Sequence, residues 1–231
     1  METMTTHRAS LLELISLMTG DEKHDVSATS TLDVVWVLYD RVLRVDPAQP
    51  DDPGRDRFYL SKGHGPMAYY AVLADKGFIP VGWLAGFGGW DSPLGYHPDR
   101  NLIPGVEISS GSLGHGLPLA VGTALGLRAQ ANPARVVVLL GDAELDEGSN
   151  HEAIAYAARA GLDRLTAVVV DNTSSSHGWL GGIAKRFEVE GWTSSIVDGR
   201  DHNAIEAGFA ASDGLRPHVV IARVEPKSSA A

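Results

Sequence analysis

Short apolar runs alternate with amphipathic stretches along the second half of the sequence. Four runs rich in β-branched residues have the length of buried strands, and they lie at 135–140, 165–171, 192–198 and 217–224. Stretches with the spacing of amphipathic helices separate them, at 147–161, 181–191 and 202–211. Strands that alternate with helices predict an α/β fold, a parallel β-sheet with helices on both faces.

The first half of the sequence has mainly helical spacing. The predicted helices lie at 11–20, 29–44, 65–77 and 116–131. We expect Ser30 or Thr31 to cap the second of them. Residues 82–116 are predicted to be mostly loop, and loops of that length usually carry function. Because the sequence has no internal repeat and no linker, residues 1–231 are expected to form one domain.

Polar residues follow two of the predicted strands directly. Asp142 comes after the run 135–140, and Asn172 comes after the run 165–171. Because ligands bind outside the carboxyl ends of parallel strands, these residues can share a site. Their oxygen atoms suit Mg²⁺ or Ca²⁺ better than zinc, and Mg²⁺ usually keeps positions for phosphate oxygens. The pattern favours a metal that bridges to a phosphorylated cofactor; the alternative is that both are ordinary turn and capping residues.

Composition narrows the class of protein. The 231 residues carry a formal net charge of −10, which argues against nucleic acid or an anionic membrane as a partner. They contain no cysteine, which excludes disulfides, thiolate metal sites and a cysteine nucleophile. No stretch resembles a signal peptide or approaches the roughly 20 apolar residues of a membrane helix. We expect a cytoplasmic protein.

Five motifs in order along the chain resemble the transketolase family. They are DRFYLSKGHG, GYHP, SSGSLGHGLPLAVGTALG, GDAELDEGSNHEA and FEVEGWTSSIVDGRDHNAI. The fourth motif, followed by Asn172, is similar to the thiamine diphosphate signature, which begins with Gly-Asp-Gly and ends with an asparagine. The resemblance implies the thiamine-diphosphate-binding fold, in particular its diphosphate-binding domain, with thiamine diphosphate and Mg²⁺ as cofactors.

The resemblance also implies roles for individual residues. Mg²⁺ would be held by Asp142, Asn172 and the backbone carbonyl of Ser174. Cofactor contacts would come from His64, Gly111, Ser112, Leu113, Gly114, His115, Gly141, Asp142, Ala143, Glu144, Asn172 and His177. The catalytic side chains would be His64, His97, His24 and Glu147. Histidine suits this role because it can move protons on sugar hydroxyls near neutral pH. Within the acidic turn itself, Glu144 and Asp146 are expected to be the solvated members.

The motifs match only the amino-terminal half of a transketolase. The other half carries the glutamate that drives formation of the reactive ylide, so the resemblance implies a separately encoded carboxy-terminal partner subunit, with a heterotetramer as the active assembly. The reaction would transfer a two-carbon ketol unit between sugar or sugar-phosphate-like substrates. Alternatives are the α-subunit of a 2-oxo acid dehydrogenase, a deoxyxylulose-phosphate-type synthase, or a non-catalytic scaffold. SKGHG and GYHP favour transketolase over the dehydrogenase, and a scaffold would be expected to lose Asp142 or Asn172.

The sequence departs from the family pattern at three positions. Ala143 replaces the second glycine of Gly-Asp-Gly, His115 replaces a glutamine, and Arg200 replaces a histidine. These changes lead to the hypothesis of a specialised ketol transfer outside ordinary pentose-phosphate metabolism. Three histidines receive no role, because lone histidines are most often surface residues: His7, His202 and His218.

Overall fold

Five parallel strands form the sheet at the centre of the molecule. In this computed structural model, which describes residues 2–19, 25–63 and 66–227 (only the backbone for 2–7 and 25–28), the sheet order is β1-β2-β3-β5-β4. The strands are β1 (Arg57–Leu60), β2 (Val136–Gly141), β3 (Leu165–Asp171), β4 (Thr193–Asp198) and β5 (His218–Arg223). The four strands predicted from β-branched runs are confirmed. The short strand β1 was not predicted.

Seven α-helices in the described part of the chain surround the sheet. They are α1 (Glu2–Ser16), α2 (Asp25–Val37), α3 (Met67–Asp75), α4 (Gly116–Ala129), α5 (Gly148–Arg159), α6 (Gly182–Glu188) and α7 (His202–Ala210). A π-helical turn extends α2 over Leu38–Val42, and short 3-10 turns lie at Val81–Gly86 and Ala143–Asp146. None of the helices described combines the length with the apolar character that a membrane crossing requires.

The sheet is covered on both faces, as predicted. Alternate residues of β2 point in opposite directions, so Val137 and Leu139 belong to one core cluster while Val136 and Val138 belong to the other. Helices α1, α2, α3 and α7 supply the first cluster, and α4, α5 and α6 supply the second. Residues of β2 are therefore apolar along the whole strand, and the first polar side chain that follows it emerges at the sheet edge.

Helix α2 begins earlier than predicted. It starts at Asp25, so the prediction that Ser30 or Thr31 caps it is wrong. Both residues lie within the helix with their side chains buried, as does Asp33 about one turn further on. Asp33 contacts distant parts of the chain, and a local capping rule does not describe such contacts.

Asp33 joins three segments that are far apart in sequence. Its carboxylate accepts hydrogen bonds from Nη1 of Arg200 at 2.7 Å, from Nε of Arg8 at 3.3 Å and from Nε2 of His202 at 2.9 Å. His202 is thus buried, and so is His218, whose Nδ1 lies 2.7 Å from the hydroxyl of Thr193. The expectation that these two histidines are surface residues is wrong.

A second buried carboxylate, Asp56, holds the amino-terminal edge of β1. It is fully buried and accepts from the backbone N–H groups of Arg44 at 3.0 Å and Arg135 at 2.8 Å, as well as from both guanidinium groups. Burial alone would raise the pKa of Asp56, but the hydrogen bonds from Arg44 and Arg135 lower it below its ordinary value. The stability that this carboxylate contributes is present above its unfolded pKa and is lost as the pH falls through the lower folded value.

Replacing Asp56 with alanine should strongly destabilise the fold. The substitution removes an acceptor shared by two partly exposed guanidinium groups and by the partly buried backbone N–H groups of Arg44 and Arg135. We expect the free energy of unfolding at neutral pH to fall by about 2–3 kcal/mol, measured by urea denaturation.

The matched control is Lys185→Ala, which removes the exposed i,i+3 pair with Glu188 on α6. Its free energy of unfolding should change by less than about 0.5 kcal/mol. Equal effects of the two substitutions would contradict the assignment of Asp56 as a structural anchor.

Candidate functional site

Two buried polar side chains stand at the carboxyl ends of neighbouring strands. Strands β2 and β3 pair with Gly141 opposite Val170, so Asp142 and Asn172 leave the sheet at the same edge. Asp142 is 2% exposed and Asn172 is 5% exposed. Oδ1 of Asn172 is buried and has no hydrogen-bond partner among the described residues. A buried acceptor without a donor is costly in a finished fold, so it points to a ligand at this position.

The loop after β3 folds back onto Asp142. The carboxylate accepts from the N–H and the hydroxyl of Ser174 at 2.5 and 2.6 Å and from the N–H of Ser175 at 3.0 Å. The structure thus brings Ser174 next to Asp142, and Asn172 precedes Ser174 by two residues.

Asp146 anchors the same loop, a role that the sequence did not suggest. Its carboxylate accepts from the hydroxyl of Ser175 at 2.9 Å and from the N–H of Ser176 at 2.9 Å. Burial alone would raise the pKa of Asp146, but the hydrogen bonds from Ser176 and Ser175 and the nearby His177 together lower it below its ordinary value. His177, predicted to contact the cofactor, is exposed and lies beside Asp146.

A second predicted segment, which we call the glycine loop (residues 111–115), precedes α4. Its backbone takes positive φ at Gly111 (144°) and Gly114 (81°). A β-carbon on Gly111 would lie 3.0 Å from Cδ2 of His97, and one on Gly114 would lie 2.7 Å from Cβ of Glu147. His97 therefore lies beside Gly111, and Glu147 lies beside Gly114. The other loop residues differ in exposure: Leu113 is half-buried, while Ser112 and His115 are exposed.

Glu144 is buried, so the expectation that it is solvated is wrong. Its side chain is 1% exposed, and its oxygens accept from the hydroxyl of Ser61, from the N–H of Gly114 at 3.0 Å and from the N–H of Gly141 at 3.4 Å. Burial raises the pKa of Glu144, against the lowering effect of these donors. The sequence shows an acid in a polar turn but gives no sign that Ser61 and Gly114 meet it.

Lys62 is a charged neighbour that the sequence motifs contained but did not single out. Its side chain crosses the backbone of Gly141, where a β-carbon would lie 3.1 Å from Cδ of the lysine. Burial lowers the pKa of Lys62 to about 8, against the opposing effect of Asp142 and Glu144. The site thus places the ammonium group of Lys62 beside the carboxylates of Asp142 and Glu144 at this sheet edge.

Two predicted catalytic histidines, His24 and His64, lie outside the described residues. The chain just before His64 does reach the site, because Gly63 packs so closely against the glycine loop that a β-carbon would lie 2.7 Å from the backbone nitrogen of Gly111. The described part of the site is therefore built from the ends of β1, β2 and β3 together with the start of α4.

Comparison with known proteins agrees with this architecture. Residues 4–224 match the family model described as transketolase, thiamine diphosphate binding domain. A protein named ferredoxin fas2 from Rhodococcoides fascians is 57% identical over 217 residues, which cover 94% of this chain and 71% of the relative. One of the subunits of an apulose-4-phosphate transketolase from Actinobacillus succinogenes is 37% identical over 206 residues, 86% of this chain and 75% of the relative.

A solved transketolase from Leishmania mexicana superposes with a TM-score of 0.76 at 25% sequence identity. The match covers 89% of this chain but only 37% of that protein, so this chain corresponds to a little over one third of its length. The five-stranded parallel sheet, the match over residues 4–224 and these relatives agree with one another. The chain belongs to the transketolase family, within the thiamine diphosphate binding domain.

Proposed function

We propose that this chain is the diphosphate-binding subunit of a two-subunit transketolase, which transfers a two-carbon ketol unit between sugar-type substrates with thiamine diphosphate and Mg²⁺. The observation that carries the proposal is the pair Asp142 and Asn172, buried at adjacent strand ends with Oδ1 of Asn172 unpartnered within the described structure. The pair lies at the edge where an open parallel sheet binds its ligands.

The residues present fit a magnesium diphosphate. One carboxylate, one amide oxygen and a loop carbonyl are hard oxygen donors, and Mg²⁺ typically takes few protein ligands and completes its shell with phosphate oxygens and water. In this proposal Asp142, Asn172 and the carbonyl of Ser174 hold the metal. The backbone of Gly141 and Ala143 approaches the phosphates.

The cofactor, when bound, would supply the carbanion chemistry of ketol transfer. The chain's own residues would bind, orient and move protons. The glycine loop would face the cofactor rings, since glycine lets backbone approach a ligand closely. His97 beside the loop, with His64 and His24, would donate and accept protons on substrate hydroxyls. Glu147, which lies beside Gly114, would support the partner's catalytic group.

A partner subunit completes the proposed site. Support comes from the Actinobacillus succinogenes relative, whose name describes it as one subunit of a transketolase and which matches 86% of this chain. In this proposal the partner is a transketolase carboxy-terminal subunit, the assembly is a cytoplasmic heterotetramer, and residues 1–231 act as one domain. The substrates are sugars or sugar phosphates.

The name ferredoxin, carried by the relative from Rhodococcoides fascians, suggests an electron carrier as another function. Ferredoxin clusters are held by cysteine thiolates. These 231 residues contain no cysteine, so they offer no such ligand. The residues at the sheet edge favour the transketolase function.

Replacing Asp142 with alanine should remove Mg²⁺-dependent cofactor binding. Titration calorimetry of thiamine diphosphate with Mg²⁺ into the chain and its partner should give saturable binding, and Asp142→Ala should weaken it by at least about tenfold. Asp163→Ala is the control, because Asp163 lies at the opposite end of β3, two residues before the strand begins. Binding that is unchanged in Asp142→Ala would contradict the proposed metal site.

Replacing Ala143 with glycine should strengthen cofactor binding while weakening the fold. Removing the β-carbon lets the backbone approach the phosphates more closely. We expect Kd for thiamine diphosphate to fall by about threefold, equivalent to roughly 0.6 kcal/mol. The free energy of unfolding should fall by about 0.5–1 kcal/mol, since glycine is more flexible in the unfolded chain. Weaker binding by Ala143→Gly would show that the methyl group does not obstruct the cofactor.

A further inference from the structure

The carboxylate of Glu144 connects three segments that surround the candidate site. Oε1 accepts from the hydroxyl of Ser61 at the end of β1 and from the N–H of Gly114 in the glycine loop, at 3.0 Å. Oε2 accepts from the N–H of Gly141 at the end of β2, at 3.4 Å. The backbone carbonyl of Glu144 accepts from Nδ2 of Asn150 on α5, at 2.7 Å. One buried residue thus links the metal side of the site to the glycine loop.

Ser61 extends this link to the first turn of α4. Its hydroxyl accepts from the N–H of Gly116 at 2.9 Å, an N–H that has no acceptor within its own helix. His115, at the capping position of α4, makes no side-chain capping hydrogen bond. The Glu144–Ser61 pair therefore serves as a cap contributed by other segments of the chain. A negative charge at the amino-terminal end of α4 is also favoured by the helix dipole.

Close packing leaves the glycine loop little freedom to find other positions. A β-carbon on Gly116 would clash with the side chain of Ser61, and one on Gly63 would lie 2.7 Å from the nitrogen of Gly111. The hydroxyl of Ser149 also donates to the carbonyl of Gly114 at 2.6 Å. The loop is consequently held by Ser149 as well as by Glu144, and Glu144 supplies the contact that reaches the end of β2.

We infer that Glu144 is a positioning residue, which fixes the glycine loop relative to Asp142 so that one cofactor can reach both. The inference rests on the proposed function. The resemblance implied a cofactor contact for Glu144, but in this inference Glu144 acts through the loop, because its side chain is 1% exposed and its oxygens are occupied by protein donors. Substituting a residue with a purely structural role would lower the stability of the whole chain. Substituting a positioning residue would first loosen the loop that it holds.

Amide hydrogen exchange of the chain directly tests whether Glu144 positions the glycine loop. In Glu144→Gln, which keeps the size of the side chain but loses one acceptor oxygen, we expect the amides of Gly114 and Gly116 to exchange at least about tenfold faster. Amides of β3 should exchange as in the unaltered chain. The matched control is Glu152→Gln, the same chemical change at an exposed position on α5. Faster exchange throughout the chain, or unchanged exchange at Gly114, would overturn the inference.

Two ligands then separate loop positioning from metal binding in the assembly with the partner. Thiamine diphosphate with Mg²⁺ needs both the metal end of the site, at Asp142 and Asn172, and the glycine loop. Inorganic pyrophosphate with Mg²⁺ needs only the metal end. Glu144→Gln should weaken the first by at least about tenfold and the second by less than about twofold. Parallel losses for both ligands, or no loss for either, would overturn the inference. If the unaltered assembly binds neither ligand, the proposed function itself is wrong.

Discussion

The parallel pairing of β2 with β3 is the interaction on which the site depends. Residues 136–141 of β2 and 167–170 of β3 are buried, so a polar side chain among them would lose its hydration without gaining a partner. Polar residues are tolerated from the point where the strands leave the sheet, and the register places Asp142 and Asn172 there together. The same constraint that makes the strands apolar thus concentrates polar chemistry at one edge.

Buried carboxylates then hold the loops around this sheet. Asp33, Asp56 and Glu144 are each almost fully buried, and each accepts hydrogen bonds from segments distant in sequence. Arg200 is informative because it departs from the family pattern. It donates to Asp33 and also to Glu225 at 2.6 Å, so its departure serves a structural contact between α2 and the segment after β5. The contacts of Arg200 therefore do not support the hypothesis of a specialised ketol transfer.

The sequence predicted what depends on local patterns and failed where distant residues meet. Runs of β-branched residues identify four strands, but β1 has only four residues and lacks that signal. The capping rule predicts a helix start at Ser30, although that residue is buried within α2. The polar neighbours of Glu144 in sequence predict a solvated acid. The residues that bury it, Ser61 and Gly114, lie 83 and 30 positions away.

The two ends of the candidate site are consequently specified in different ways. The proposed metal end needs only the ends of adjacent strands, and residues such as Asp142 are visible in the sequence. The spacing to the glycine loop depends on Glu144 and Ser61, whose partners are set by the whole fold. The side chains of Ala143 and His115 take no part in the hydrogen bonds of Glu144 and Ser61. These two departures from the family pattern can therefore alter ligand contacts without changing the spacing between the proposed metal end and the glycine loop. Ligand specificity and the geometry of the site thus depend on different residues.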